Sequence, residues 1–320
     1  MKKVLLATTM LAGTAGFASA EVAVTGYAEI GIYSDQAGDI SFWQDVEVSF
    51  TMSGTTDGGL EFGAKIDLDE GEDESAAFGD GSKGNDINER TGNGTEVWVS
   101  GAFGKLTMGD TDGALDWALA DMDGGMTSLA DDHTSHVAWF GGSDLDGTAD
   151  GQIVRYENTF GDVSFAISAE QGDDGVGVVD DIFGIGVKYT ANLGGTDVAL
   201  GLGYQDAGSV YGSAVGVSAG ATMAGGFGGK IGYIDFSDDT VDGKDTKLGL
   251  EVSYVSGPIG VAVNYGKVDL DAGGDYDSWG AVANYDLGGG AKVMFGYGSD
   301  LDGATAGDQD TWSLGLGLSF

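Results

Sequence analysis

From residue 22 onward, large apolar side chains alternate with small or polar ones. Clear examples are Val46-Glu-Val48-Ser-Phe50-Thr-Met52, Leu60-Glu-Phe62-Gly-Ala64-Lys-Ile66-Asp-Leu68, Val198-Ala-Leu200-Gly-Leu202-Gly-Tyr204 and Ile259-Gly-Val261-Ala-Val263-Asn-Tyr265. The period is two, which belongs to a strand whose side chains point in turn to opposite faces. One face carries Val, Leu, Ile and aromatics. The other carries Gly, Ala, Ser, Asn, Lys and Glu. The pattern predicts sixteen such segments of about ten residues, the length a tilted strand needs to cross a bilayer.

The connections alternate in length. Short ones hold Asp57-Gly-Gly59, Phe103-Gly104, Gly194-Gly195, Gly225-Gly226, Gly257-Pro258 and Gly288-Gly-Gly290, all suited to tight turns. Between them come longer acidic stretches, 69–94, 111–150, 171–181, 237–245 and 299–309. A soluble sandwich has no reason to sort its loops this way. The fold class expected is all-β, a 16-stranded antiparallel transmembrane β-barrel with short periplasmic turns, long extracellular loops and an inward-folded third loop. The chain closes on Trp312-Ser-Leu314-Gly-Leu316-Gly-Leu318-Ser-Phe320. An alternating strand that ends on an aromatic has the form of an assembly signal for the barrel assembly machinery of an outer membrane. Tyr27, Tyr33, Phe103, Phe160, Tyr189, Tyr204, Tyr254, Tyr265, Trp279, Tyr285, Tyr297, Trp312 and Phe320 lie near predicted strand ends, where they would form two interfacial girdles.

The amino end gives an address. Met1-Lys-Lys3 is basic, Val4 to Phe17 is mostly apolar or small, and Ala18-Ser-Ala20 is a small-residue cleavage site. This reads as a secretory signal peptide over residues 1–20, leaving 21–320 as the barrel domain. Export through the periplasm to the outer membrane of a Gram-negative bacterium follows, with lipid and lipopolysaccharide as surroundings. There are no cysteines, so no disulfide framework exists. Glycine is 61 of 320 residues, which weakens helices and suits bends and tight turns. The formal charge is −39, and loss of Lys2 and Lys3 would make it −41. Such acidity argues against nucleic acid and favours cations as partners.

A sixteen-strand barrel is too wide for its own side chains to fill. The segment from Thr111 to Gly151 is the candidate constriction, because connections of this length are usually functional. It holds a helical piece, Ala114 to Ala120, and the carboxylates Asp112, Asp116, Asp121, Asp123, Asp131, Asp132, Asp144, Asp146 and Asp150. Asp110 stands just before it. Folded inward, they would form an electrostatic filter. Packed carboxylates repel, which raises their pKa values. The turns Asp110-Thr-Asp112-Gly, Asp121-Met-Asp123-Gly and Asp144-Leu-Asp146-Gly also suit Ca²⁺, although no complete EF-hand spacing is present. His133 and His136 lack an evident third ligand and read as polar loop residues. No nucleophile–base pair, P-loop or CxxC marks an enzyme.

Phe50-Thr-Met-Ser-Gly54-Thr-Thr56-Asp-Gly-Gly-Leu60-Glu-Phe-Gly-Ala64, Ser100-Gly-Ala-Phe103-Gly-Lys105-Leu-Thr-Met108-Gly-Asp110 and Tyr285-Asp-Leu-Gly-Gly-Gly290-Ala resemble the general diffusion porins of Rhodobacter-type alphaproteobacteria. The resemblance runs through the whole mature chain. It implies a homotrimer of water-filled channels for small hydrophilic solutes, with the third loop folded inward and the second, about Glu70 to Gly94, latched onto a neighbouring subunit. One departure stands out. The family's wall opposite the third loop usually carries a basic cluster, partly on the second strand. Here that strand has Asp45 and Glu47. The nearest basic candidates, Lys65, Lys105 and Arg155, lie among Glu61, Asp67, Glu96 and Glu157. A mostly acidic eyelet would select cations.

Two other classes fit parts of the pattern. A soluble, secreted calcium-binding β-protein would share the acidity, but not the terminal Phe or the irregular strand spacing, and it would not depend on detergent. A plugged or purely structural barrel would not conduct. Within the channel class, a substrate-specific pore would line its lumen with aromatics, and Trp43 and Trp98 are predicted on the polar face.

Overall fold

The computed structural model describes residues 21–34, 38–70, 94–129, 138–147, 152–172, 180–237, 243–300 and 309–320. Sixteen antiparallel strands run in chain order: β1 (Glu21–Ser34), β2 (Ile40–Thr55), β3 (Glu61–Glu70), β4 (Thr95–Gly101), β5 (Gly104–Gly109), β6 (Ile153–Phe160), β7 (Val163–Glu170) and β8 (Ile182–Leu193). They continue with β9 (Thr196–Asp206), β10 (Ser213–Met223), β11 (Phe227–Phe236), β12 (Lys244–Ser256), β13 (Ile259–Leu270), β14 (Asp275–Gly288), β15 (Ala291–Asp300) and β16 (Gln309–Ser319). Each pairs with its sequence neighbours, and β1 pairs with β16, so the sheet closes with no free edge. Closure matters in lipid, where an unpaired backbone group has no water to turn to.

The alternation that dictates the strands decides which face meets lipid. The apolar positions point outward and are bare: Phe42 is 90 % exposed, and Val46, Phe62, Val97, Leu202, Val252 and Leu314 are likewise exposed. On a protein in water, such a surface would be an aggregation hazard. Register fixes the opposite parity inward. In β2, outward Val46 and Val48 leave Asp45 and Glu47 facing the lumen, and Trp43 and Trp98 share that face.

Short turns gather at one end and longer connections at the other. At Gly194-Gly195 both φ values are positive (67° and 94°), as a tight hairpin there demands. Glu21 and Ser319 both lie at the short-turn end, and Phe320 exchanges backbone hydrogen bonds with Gly26. The terminal side chain is 80 % exposed.

Outward aromatics form two belts. Tyr189, Phe227, Tyr254, Tyr285 and Phe160 ring the short-turn end, where Phe227 and Tyr254 meet at 4.5 Å. Tyr204, Tyr233, Tyr265, Trp279, Tyr297 and Trp312 ring the other, where Trp279 and Tyr297 meet at 5.1 Å. Tyr27 and Tyr33 do not belong to either. They lie on the inner face: Tyr27 donates to Glu29, and buried Tyr33 packs edge-on against Trp43. Nearness to a strand end put them in the girdle; parity takes them out.

Candidate functional site: the constriction loop and its walls

The third loop leaves β5 at the long-loop end and turns into the barrel. Its first piece is a short helix, α1 (Ala114–Ala118), and a 3₁₀ turn follows at Ser143–Leu145. α1 lies against β7, β8 and β9. The loop backbone is tied to the wall strand by strand. Ala114 N–H donates to Ser168 Oγ (2.8 Å), Ala120 N–H to Ser218 Oγ (3.0 Å), Gly124 N–H to Glu251 Oε2 (2.7 Å), Thr127 N–H to Asn284 Oδ1 (3.3 Å) and Ala138 N–H to Ser278 Oγ (2.8 Å). Inward Ser and Asn residues thus satisfy loop amides that water would otherwise have to reach.

Glycines make the seat. A Cβ at Gly186 would stand 2.1 Å from Ala114 O, at Gly201 2.1 Å from Ala118 O, and at Gly266 1.6 Å from Ala138 O. Leu115, Leu119, Met122, Phe140 and Leu145 are buried against Ile182, Ile234 and Phe236. The apolar core of this protein is therefore the contact between loop and wall, inside the barrel.

Lysines from the wall hold the loop's acids. Lys230 meets Asp123 (2.9 Å) and Glu251 (3.1 Å). Asp144 lies between Lys244 (2.7 Å) and Lys247 (3.1 Å). Lys188 stands over the Trp117 ring at 4.4 Å, and Lys292 over Tyr27 at 5.4 Å. None of these lysines was singled out from sequence. The parity of Lys230 beside outward Ile231, and of Lys247 beside outward Leu248, was the signal that points them inward.

The opposite wall comes from β2 to β6. Lys65 is held by Asp67 (2.7 Å) with Glu96 and Glu47 nearby. Ser49 also donates to Asp67. Arg155 is buried; it meets Glu157 (3.2 Å) and Asp112 (3.6 Å) and donates to the Asp112 carbonyl. It anchors the start of the loop instead of standing as a free cation in the wall. Lys105 leans over Trp98. Asp45 is buried on the inner face beside Glu47. Glu61 opens β3 directly after the 56–60 turn and accepts from Ser100, so it stands at the short-turn mouth, away from the loop. Asp110 accepts from Gly94 N–H (2.9 Å) at the long-loop end and ties the second loop's exit, not the eyelet. Asp131, Asp132, His133, His136 and Asp150 lie outside the described residues.

The loop carboxylates divide in two. Burial, with Asp121, Asp146 and Asp112 as like-charged neighbours, raises Asp116 to about 7. Burial also raises Asp121 to about 6, with Asp123 adding to it, and Asp146 to about 6 against the hydrogen bonds from Gln205 and Gly113. Desolvation, more than the repulsion expected from sequence, drives these shifts. Asp123 and Asp144 are also desolvated, yet both end below the usual range. The Gly125 N–H and Lys230 hold Asp123 down, and Lys247 and Lys244 hold Asp144 down. Among the described residues no three His, Asp or Glu side chains are placed to share an ion. Asp110 accepts from the Gly94 N–H, Asp112 meets Arg155, Asp123 and Asp144 meet lysines, and Asp146 accepts from Gln205 and the Gly113 N–H.

The family model described as Gram-negative porin matches residues 7–319. A porin of Rhodobacter capsulatus is 29 % identical over 300 residues, covering 86 % of this chain and 93 % of that protein. A porin structure refined at 1.8 Å superposes with a TM-score of 0.70 at 27 % identity, covering 94 % of this chain and all of the other. A triple mutant of Rhodopseudomonas blastica porin gives 0.68 at 18 % identity over 93 % of this chain and all of the other, a likeness of fold.

Proposed function

The chain belongs to the Gram-negative porin family, whose members are outer-membrane channels, and we propose that its pore passes small hydrophilic solutes with a preference for cations. One observation carries the selectivity: around the loop every described cation lies against a carboxylate or an aromatic ring, and carboxylates outnumber cations both on the loop and on the wall of β2 to β6. Lys65, Arg155, Lys230, Lys244 and Lys247 are each within ion-pair distance of an acid. Asp112, Asp116 and Asp121 lie on the loop, and strand register puts Asp45, Glu47 and Glu96 on the inner face of the wall. Such an excess of acid attracts cations and repels anions. It replaces the transverse field of an acidic loop against a basic wall.

Asp112 is an accessible loop acid, its side chain 58 % exposed. The double substitution Asp112→Asn with Asp116→Asn is expected to lower the cation-to-anion permeability ratio in planar bilayers. An unchanged ratio would remove these two residues from the filter. The same reading takes residues 1–20 as a cleaved signal peptide and the active form as a homotrimer. The amino-terminal sequence of protein purified from outer membranes, and its mass before and after heating, check both.

A further inference from the structure

Beneath the loop, toward the short-turn mouth, the inner wall of β8 to β12 opens into a cavity of about 470 Å³. Ala120 of the loop forms its roof. The volume lies within the range of small-molecule sites. It exists because Gly220 contributes no side chain: a Cβ there would meet only Lys230 Cγ at 3.5 Å and Gly229 O at 3.8 Å, ordinary contacts.

The polar groups in the wall are unevenly satisfied. Lys230 has its N–H bonds committed to the Asp121 carbonyl (2.7 Å), Asp123 (2.9 Å) and Glu251 (3.1 Å). It has no further donor for a guest. Glu251 is 3 % exposed; its Oε2 takes Lys230 and Gly124 N–H, but its Oε1 is buried with no hydrogen-bond partner. That oxygen is closed off from the cavity, so Glu251 adds negative charge behind the wall and is not itself a contact for a guest. At the far rim, Asp197 takes one N–H from Asn192 on Oδ1 (2.8 Å), which leaves its other oxygen to the cavity. The Thr222 and Ser253 hydroxyls complete the wall between the two acids. One cation, Lys230, stands in the lining against Glu251 and Asp197, so the lining carries net negative charge.

We infer that this cavity is a binding niche for a small organic cation that also bears hydroxyl groups, an amino sugar being the chemical class that fits, which the pore holds briefly on its way through. The ammonium group takes Asp197, with the buried charge of Glu251 behind it, and ring hydroxyls meet Thr222 and Ser253. The inference rests on the reading of the chain as an open pore.

The test is the K⁺ current of purified protein in a planar bilayer, with glucosamine or uncharged glucose added on the short-turn side. Glucosamine is expected to reduce the current saturably, and glucose of equal size to do so far less. Gly220→Val fills the niche, and Asp197→Asn removes a rim charge without touching the Lys230 anchor. Asp197→Asn is expected to raise the half-blocking glucosamine concentration about tenfold or more, the loss of one charge-assisted hydrogen bond, and Gly220→Val to raise it as well by occupying the space. Ordinary current steps with equal effects of the two sugars, or a glucosamine block that neither variant weakens, would overturn the niche alone. Absence of current steps before any sugar is added would overturn the pore reading, and the niche with it.

Discussion

Asp116 shows how much a residue's role depends on what surrounds it. In the sequence it is one of many loop acids. In the fold it accepts the Gly142 N–H and is buried enough to titrate near neutrality. Three loop carboxylates that ionise at about 6 to 7 should make selectivity depend on pH: the cation preference is expected to rise between pH 5 and pH 8. Permeability ratios measured across that range check this, and a flat profile would show that these acids do not face the ion path. The linkage has a definite sign. A carboxylate whose folded pKa is raised binds more protons folded than unfolded, so its contribution to stability falls as pH rises from the ordinary carboxylate range through about 7. Asp123 and Asp144, held low by lysines, contribute stability that is lost only as pH falls below that ordinary range. Loop docking is therefore expected to loosen from pH 4 to pH 7.5, seen as lower hydrogen-exchange protection factors at Ala114, Ala120 and Gly124 after division by the intrinsic exchange rate at each pH. Asp116→Asn should flatten part of that slope.

At the scale of elements, the strands were legible and the seat of the loop was not. Period two with tight-turn residues gives each strand its bounds, because in lipid the backbone has no alternative to pairing and the outer face none to apolar side chains. The inner face obeys a different demand. Its glycines first suggest bends and turns, yet Gly186, Gly201 and Gly266 sit within strands and leave room for the loop backbone. Nothing local in the sequence says that a segment some seventy to a hundred and thirty residues away will fill that room. The inward lysines were hidden for the same reason: their partners Asp123 and Asp144 come from far along the chain. Gly266→Ala tests the seat. The added methyl cannot stand beside Ala138 O, and overpacking of this kind costs about 1 to 3 kcal/mol. The variant is expected to melt earlier and to show larger, noisier current steps as the loop lifts. Wild-type melting and conductance would mean that the loop is not held there. At the carboxyl end, Phe320→Ala keeps the Gly26 backbone pair but removes the exposed ring. Less folded barrel in outer-membrane fractions is the expected outcome if the ring serves assembly.

For the whole molecule, hydrophobic and polar demands are inverted relative to a soluble protein. Apolar side chains face outward into lipid, and among the described residues the buried apolar clusters join a loop to the inner wall. The closed sheet sets the bore and the loop narrows it; the excess of acid is what the proposed cation preference rests on. The pore was legible from strands and loop lengths together. The proposed selectivity has only that excess of acid behind it in the sequence, because sequence does not show which lysines are already engaged.

The most direct measurement is the reversal potential of the purified, unheated protein in a planar bilayer under a tenfold KCl gradient. Ideal selectivity for one ion would give about 59 mV. A potential that makes the dilute side positive by a substantial share of that value is the result expected of an acidic constriction. Clear conductance with a potential near zero, or with the dilute side negative, would contradict it.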